Sequence, residues 1–113
     1  MQIPNADRAI IDPAKLHGYL LSRSHPVGRF KAAFFLALGY SPEDWRRLDA
    51  DLRSQHLSKD ATPDEGTSYM QKYTIRATLV GPSGQSADVV SVWVVRRGEK
   101  VPRFVTAYPE GDR

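Results

Sequence analysis

Apolar positions in the first half of the chain recur every three or four residues, and this spacing predicts three helices. The first covers residues 12–21, where Asp12 is a suitable N-cap and Pro13 suits the first helical position. The second covers residues 27–40, and the third begins after a cap at Ser41. The predicted buried stripes are Leu16, Leu20 and Leu21 in the first helix, Val27, Phe30, Phe34, Ala37 and Leu38 in the second, and Trp45, Leu48 and Leu52 in the third. The rest of the third helix, with Arg46, Arg47, Asp49, Asp51 and Arg53, is predicted to face solvent.

After a polar connection over residues 57–68 the apolar period changes to two, which predicts strands over residues 69–80, 86–95 and 103–109. The alternation places Tyr73, Ile75, Ala77 and Leu79 on one face of the first strand and Thr74, Arg76 and Thr78 on the other. Short turns between the strands predict an antiparallel meander that needs a helical layer to cover one face. The expected fold is α+β, with N-terminal helices packed on a C-terminal sheet of three to four antiparallel strands.

The length and composition predict one domain over residues 1–113. Because the chain has no cysteine, it forms no disulfide or thiolate metal site, and we expect a cytoplasmic protein. No stretch of 18 consecutive apolar residues occurs, so no membrane association is expected.

Positive charge is concentrated in the predicted sheet. Residues 1–68 carry nine basic and nine acidic side chains, whereas residues 69–109 carry six basic against two acidic ones, a balance of +4. Such a surface attracts phosphate backbones, although it is equally typical of a charged surface that keeps a protein in solution.

The segment SHPVGRFK, residues 24–31, contains the best candidate for chemistry. His25 precedes a proline just ahead of the second helix and can act as a general acid or base, whereas Arg29 and Lys31 can hold a phosphate. A histidine beside a helix start is more often a capping residue. His17 and His56 are weaker candidates, the latter because a helix end favours a charged side chain. The histidine spacing matches no metal motif, so neither a metal nor a cofactor is expected.

The predicted strands interleave aromatic, basic and hydroxyl side chains, a composition suited to stacking on unpaired bases and pairing with phosphates. The candidates for nucleic-acid binding are Arg29, Tyr73, Trp93, Arg97 and Arg103. The alternative is that Tyr73 and Trp93 belong to the core. Motifs of P-loop proteins, α/β-hydrolases and glycosidases are missing from the sequence.

Several segments together resemble a family of small uncharacterised bacterial domains that also occur as C-terminal modules of large secreted toxins and beside candidate antitoxin genes. The matching segments are IPNADRAIID, HPVGRFKAAFF with ALGY, YTIRATLVGPSGQ, VWVVRRGE and VPRFVTAYP, which span about residues 3–109. The order of helices and strands is also similar to that of the barnase, EndoU, colicin and RelE group of ribonucleases, as an analogy of fold.

That analogy implies metal-independent cleavage of RNA by attack of the ribose 2′-hydroxyl on the adjacent phosphate. It makes His25 the general acid or base, lets Lys31 and Arg76 stabilise the phosphorane, and uses Thr106 and Tyr108 to position the phosphate. A second proton-transfer group would be Tyr73, Tyr108 or Lys31.

Two functional hypotheses follow. The first is a toxin ribonuclease that acts on tRNA or mRNA and is held inactive by a cognate antitoxin or immunity protein. The second is a non-catalytic module, either an antitoxin or immunity protein or a phage-related adaptor, that binds a protein or RNA through the basic sheet. A monomer and a homodimer are both compatible with the sequence.

Overall fold

A computed structural model describes residues 1–64 and 66–111, with Phe30 described by its backbone alone. A 3₁₀ helix at Ala6–Arg8 precedes helix α1, Pro13–Lys15, which continues as a π-helical turn over Leu16–Leu20. The remaining elements are helices α2 (Arg29–Ala37) and α3 (Trp45–Gln55), followed by strands β1 (Thr62–Pro63), β2 (Met70–Val80), β3 (Ser86–Arg96) and β4 (Arg103–Pro109). The predicted α+β order, with helices ahead of the strands, is confirmed.

The first predicted helix is present, but it changes from α to π geometry after one turn. The Asp12 carboxylate accepts a hydrogen bond from the backbone N–H of Ala14 at 3.0 Å, which confirms the predicted cap. The predicted stripe of Leu16, Leu20 and Leu21 is fully buried. Single π-helical turns are often found at functional sites.

Helix α2 confirms only part of the predicted stripe. Leu38, directly after the helix, is buried and Phe34 packs against the core, whereas Val27 lies ahead of the helix and is exposed, as is Ala37. Ala32 and Phe35, which the prediction left out, are fully buried. The Phe30 side chain of the predicted stripe lies outside the described residues. The prediction was only partly correct because nearly every position of the FKAAFFLAL run is apolar, so periodicity alone cannot select its buried face.

Helix α3 begins at Trp45, later than the predicted cap at Ser41 implies. The Ser41 hydroxyl accepts a hydrogen bond from the backbone N–H of Asp44, and this contact stabilises the turn that leads into the helix. The prediction that Asp51 faces solvent is wrong, because this residue is buried and accepts a hydrogen bond of 2.6 Å from the Tyr40 hydroxyl. Arg47 also pairs with the Asp51 carboxylate at 3.2 Å. The buried charge is therefore paired and hydrogen-bonded, as a buried carboxylate requires.

The four strands form an antiparallel sheet in the order β1-β2-β3-β4, so the predicted meander gains a short fourth strand at its β2 edge. Where the pairing of β3 passes from Val92 to Trp93, the partner on β4 changes from Thr106 to Phe104, leaving Val105 as the extra residue of a β-bulge. At the β4 edge, Ile10 exchanges backbone hydrogen bonds with the chain on either side of Arg103. This contact fixes the segment before α1 beside β4.

The core lies between the helices and one face of the sheet. Trp93 is fully buried there, and its indole N–H donates to the Ser91 hydroxyl at 2.9 Å. The same hydroxyl lies 2.8 Å from Nδ1 of His56, which is also fully buried. Because Trp93 reaches no surface, its predicted contact with nucleic acid is wrong, and the alternative of a core residue is correct. His56 likewise does not serve as an exposed charge at a helix end.

Burial lowers the pKa of His56 to about 4, with the carbonyl of Ala77 opposing part of that effect. The ring is therefore neutral in the folded protein at neutral pH. Its Nε2 atom is buried and has no hydrogen-bond partner of normal geometry within the described part of the chain.

No helix in residues 1–64 and 66–111 is long and apolar enough to cross a membrane.

Candidate functional site

Three polar side chains from three different elements meet at the β4 edge of the sheet. The Lys31 ammonium donates to the Tyr19 hydroxyl oxygen at 2.6 Å and to the Thr106 hydroxyl oxygen at 3.2 Å. The two hydroxyl groups are themselves 3.2 Å apart, so the three groups form a closed triangle of hydrogen bonds. We call these residues the Tyr19–Lys31–Thr106 cluster.

Backbone irregularities hold the cluster together. Tyr19 lies in the π-helical turn after α1, and Thr106 directly follows the bulge in β4. Bulges redirect the side chains beside them, often next to active sites. Lys31 is brought close because Gly28, at the start of α2, packs directly against the carbonyl of Tyr19, where a Cβ atom would collide with the oxygen. Glycine at this position therefore sets the distance between Tyr19 and Lys31.

The surroundings of Tyr19 favour its ionised form. Burial by itself raises the pKa of the phenol, but the hydrogen bonds from Lys31 and Thr106, together with the charges of Lys31 and Lys15, outweigh it and lower the pKa from 10.0. The ammonium groups of Lys31 and Lys15 lie 5.1 and 5.7 Å from the centre of the Tyr19 ring. A phenol with a lowered pKa beside two cations is suited to proton transfer next to an anionic substrate.

His25 lies beside the cluster, in the turn that precedes α2. Its Nδ1 accepts hydrogen bonds from the backbone N–H groups of Val27 at 3.0 Å and Gly28 at 2.9 Å. His25 is therefore a hydrogen-bonding residue beside the helix start, which the sequence left as an alternative to catalysis. The ring also packs edge-on against Tyr19, with centroids 5.0 Å apart. With Nδ1 occupied, Nε2 is the ring nitrogen left for a ligand, and it carries the proton.

A pocket of about 620 Å³ opens next to the cluster. Tyr19, Thr106 and His25 contribute to its wall, and the α1 segment and the bulge residue supply most of the rest. A volume of this size is typical of small-molecule sites. The cluster is therefore accessible to a ligand.

The register places two further predicted residues on the sheet face that the cluster borders. Arg76 pairs with Val90, which pairs with Tyr108, so Arg76 and Tyr108 share a face with Thr106 and lie about 10 Å apart across two strand spacings. Arg76 also pairs with the Glu110 carboxylate at 3.4 Å. Of the predicted catalytic residues, Lys31 and Thr106 thus lie in the cluster, His25 lies beside it, and Arg76 and Tyr108 lie on the adjoining sheet face.

The remaining predicted nucleic-acid contacts are dispersed. Tyr73 is half-buried against the core, and Arg97 is exposed at the turn after β3. Arg103 is bound to Glu99 at 2.9 Å. Arg29 is exposed at the start of α2, two residues before Lys31. Of these four, Arg29 is the one closest in sequence to the cluster.

Tyr19 was not predicted as a site residue. A helix prediction gives it no special position, because the π-helical turn and the bulge that bring it to Thr106 leave no mark in local periodicity. The signal available was a lone tyrosine on the polar side of the first helix, outside its buried stripe of leucines. No cluster of three or more possible metal-ligating residues occurs within residues 1–64 and 66–111.

The profile of a family described as a domain of unknown function, DUF6883, matches residues 2–111. The chain belongs to the DUF6883 family. No curated protein matches this DUF6883 chain. Among solved structures, it is similar to a chain of a contact-dependent growth inhibition toxin–immunity protein complex from Klebsiella pneumoniae 342, with a TM-score of 0.61 and 18% sequence identity over 96% of this chain and 98% of that chain. At this identity the likeness establishes a shared fold.

Proposed function

We propose that this DUF6883 domain is an RNA-cleaving toxin domain whose reactive groups are Tyr19, Lys31 and Thr106. The observation that carries the proposal is the hydrogen-bonded cluster of these three residues beside an open pocket, with the pKa of Tyr19 lowered. RNA cleavage needs a base near the ribose 2′-hydroxyl and cations near the phosphate, and the cluster supplies both.

In the proposed reaction the Tyr19 phenolate takes the proton of the 2′-hydroxyl, and the 2′-oxygen forms a bond to phosphorus. The bond from phosphorus to the 5′-oxygen breaks, and that oxygen takes a proton from the Lys31 ammonium. The hydrogen bond of 2.6 Å then returns the proton of Tyr19 to Lys31, restoring both groups. The products are a 2′,3′-cyclic phosphate and a 5′-hydroxyl group.

Neighbouring residues have supporting roles in this proposal. Thr106 orients Lys31 and Tyr19 through its two hydrogen bonds. His25 keeps α2 in place through Nδ1 and offers its Nε2 proton to a phosphate oxygen. Arg76 and Tyr108, on the adjoining sheet face, hold the RNA backbone beyond the cleavage point. His25 is thus a positioning residue and a hydrogen-bond donor, and Tyr19 is the base.

The related fold supports a toxin-related role. The similar chain comes from a complex named for a growth inhibition toxin and its immunity protein. By that analogy, the DUF6883 domain acts in competition between bacteria and is neutralised by a cognate protein. The basic sheet is electrostatically complementary to a partner protein that has an acidic surface.

Expression in a bacterial host tests the proposal. The wild type should arrest growth and fragment cellular RNA. Tyr19→Phe and Lys31→Met should not, because each removes a reacting group, with an expected loss of about 100-fold or more in cleavage rate. The matched control is Tyr69→Phe, which removes the same hydroxyl from a side chain that is 71% exposed and outside the cluster. It should remain as toxic as the wild type.

The name of the similar complex covers an immunity protein as well as a toxin, which favours a non-catalytic immunity module as the second candidate. That function predicts normal growth and intact RNA on expression of the wild type. Growth arrest that persists in folded Tyr19→Phe would also refute the proposed mechanism.

A further inference from the structure

We propose that the pocket beside Tyr19 binds one unpaired nucleobase that carries an amino group, and thereby selects the nucleotide at which RNA is cut. This inference rests on the proposed function and adds the substrate class. Uracil, which has no amino group, is the base it excludes.

The pocket has the size and lining of a site for one nucleotide. Its volume of about 620 Å³ lies within the range of small-ligand sites, and apolar wall is supplied by Val27 and Val105. The Tyr19 ring adds an aromatic surface, and single-stranded RNA is recognised by stacking splayed bases on such rings. Because Tyr19 and Thr106 belong both to the pocket and to the cluster, a base bound here has its own ribose and phosphate next to the reacting groups.

A glycine leaves part of the pocket wall without a side chain. Gly18 lines the pocket, and a Cβ atom placed on it would meet nothing within 4 Å. Its backbone does not need glycine, since it lies in a right-handed turn with negative φ. Neither crowding nor conformation thus requires glycine here, and the missing side chain leaves space for a flat ligand.

Asp12 supplies the selectivity. Asp12 lines the same pocket, and its carboxylate uses one oxygen to cap α1 through the N–H of Ala14. A carboxylate has about four acceptor positions and no donor, so capping leaves acceptor capacity for a ligand. Amino groups of guanine, cytosine and adenine can donate to it. Uracil presents one ring N–H that is flanked by two carbonyl oxygens. A carboxylate close to this edge is repelled by the two oxygens.

Two lysines beside Tyr19 can pair with the phosphate of the bound nucleotide. Lys15 lines the pocket and Lys31 belongs to the cluster, and both ammonium groups lie near the Tyr19 ring. A phosphate between them is paired with both charges while its base lies against the ring. Base and phosphate thus fit the site together.

Cleavage of short single-stranded oligonucleotides with one variable base tests the inference. The wild type should cut next to guanine, cytosine or adenine and spare uracil. Gly18→Trp fills the pocket and should lower kcat/KM by about 5- to 150-fold, the value of stacking one base. Gly18→Ala, which adds one methyl group, should lose less. Ala50→Trp, on the exposed side of α3, adds the same bulk elsewhere and should cut like the wild type.

Asp12→Asn tests the selectivity separately, because asparagine caps helices as well as aspartate does. It should keep the fold and cut next to uracil about as well as next to the other bases. If the wild type cuts RNA but neither Gly18→Trp nor Asp12→Asn changes its rate or base preference, the pocket proposal is wrong while the proposed function stands.

Binding provides a readout that does not need cleavage. Titration with guanosine, cytidine, adenosine and uridine 5′-monophosphates should shift the NMR amide signals of Gly18 and Val105, with uridine the weakest ligand. Equal shifts with all four, or shifts confined to other residues, would overturn the inference even if no RNA is ever cut.

Discussion

Acidification should destabilise this fold through His56. In the folded protein the pKa of His56 is lowered from 6.5 to about 4 by burial. The unfolded chain therefore binds more protons than the folded one between these values, and the free energy of unfolding decreases as the pH falls through that window. The stability contributed by neutral His56 is fully present above pH 6.5 and is lost by about pH 4.

The magnitude follows from the two pKa values. The lowered pKa corresponds to about 3 kcal/mol over the whole window, and most of this is lost between about pH 7.5 and pH 4.5. That is a large fraction of the stability of a small domain, which is about 5–15 kcal/mol. The buried neighbours Ser91 and Trp93 offer no negative charge that could compensate for an imidazolium.

Urea unfolding at a series of pH values measures this effect. Carboxylates also titrate in the lower part of the window, so the informative quantity is the difference in slope between the wild type and His56→Gln. The variant should be less stable at neutral pH, and its stability should depend less on pH between 4.5 and 6.5. Identical slopes for the two proteins would refute the assignment of a neutral, buried His56, as would a His56 NMR titration midpoint near 6.5.

Three further substitutions test contacts around the site and the core. Gly28→Ala should destabilise the fold by about 1–3 kcal/mol in chemical denaturation and abolish toxicity, because its methyl group collides with the carbonyl of Tyr19. Tyr40→Phe should cost about 1–3 kcal/mol in the same assay, because buried Asp51 loses its hydroxyl donor. Lys31→Met should raise the pKa of Tyr19, measured by ultraviolet titration of the phenol. The variant removes the hydrogen bond and the charge of Lys31, which lower this pKa, and leaves the opposite effect of burial in place.

Local signals in the sequence predicted much of the fold. The cap at Asp12 depends on a residue two positions away, so the sequence carries it directly. The alternation of residues in β2 likewise predicted that Arg76 lies on the face of the strand that points away from the core. The apolar run of α2 carries no such contrast, and only part of its buried face was predicted.

The site was predicted only in part because its geometry is tertiary. Lys31 and Thr106 were both proposed as phosphate-handling residues, and the fold brings them within 3.2 Å. Tyr19 joins them through the π-helical turn and the bulge, which local patterns do not reveal. Trp93 and His56 were mispredicted because their burial depends on how the helices cover the central strand.

The most direct test of the central hypothesis is the chemistry of the RNA ends produced by purified protein in the presence of a chelator. With the wild type we expect fragments that end in 2′,3′-cyclic phosphates and begin with 5′-hydroxyl groups, and none with folded Tyr19→Phe. Intact RNA with the wild type, or the same fragments with Tyr19→Phe, would contradict the assignment of Tyr19, Lys31 and Thr106 as the reactive groups.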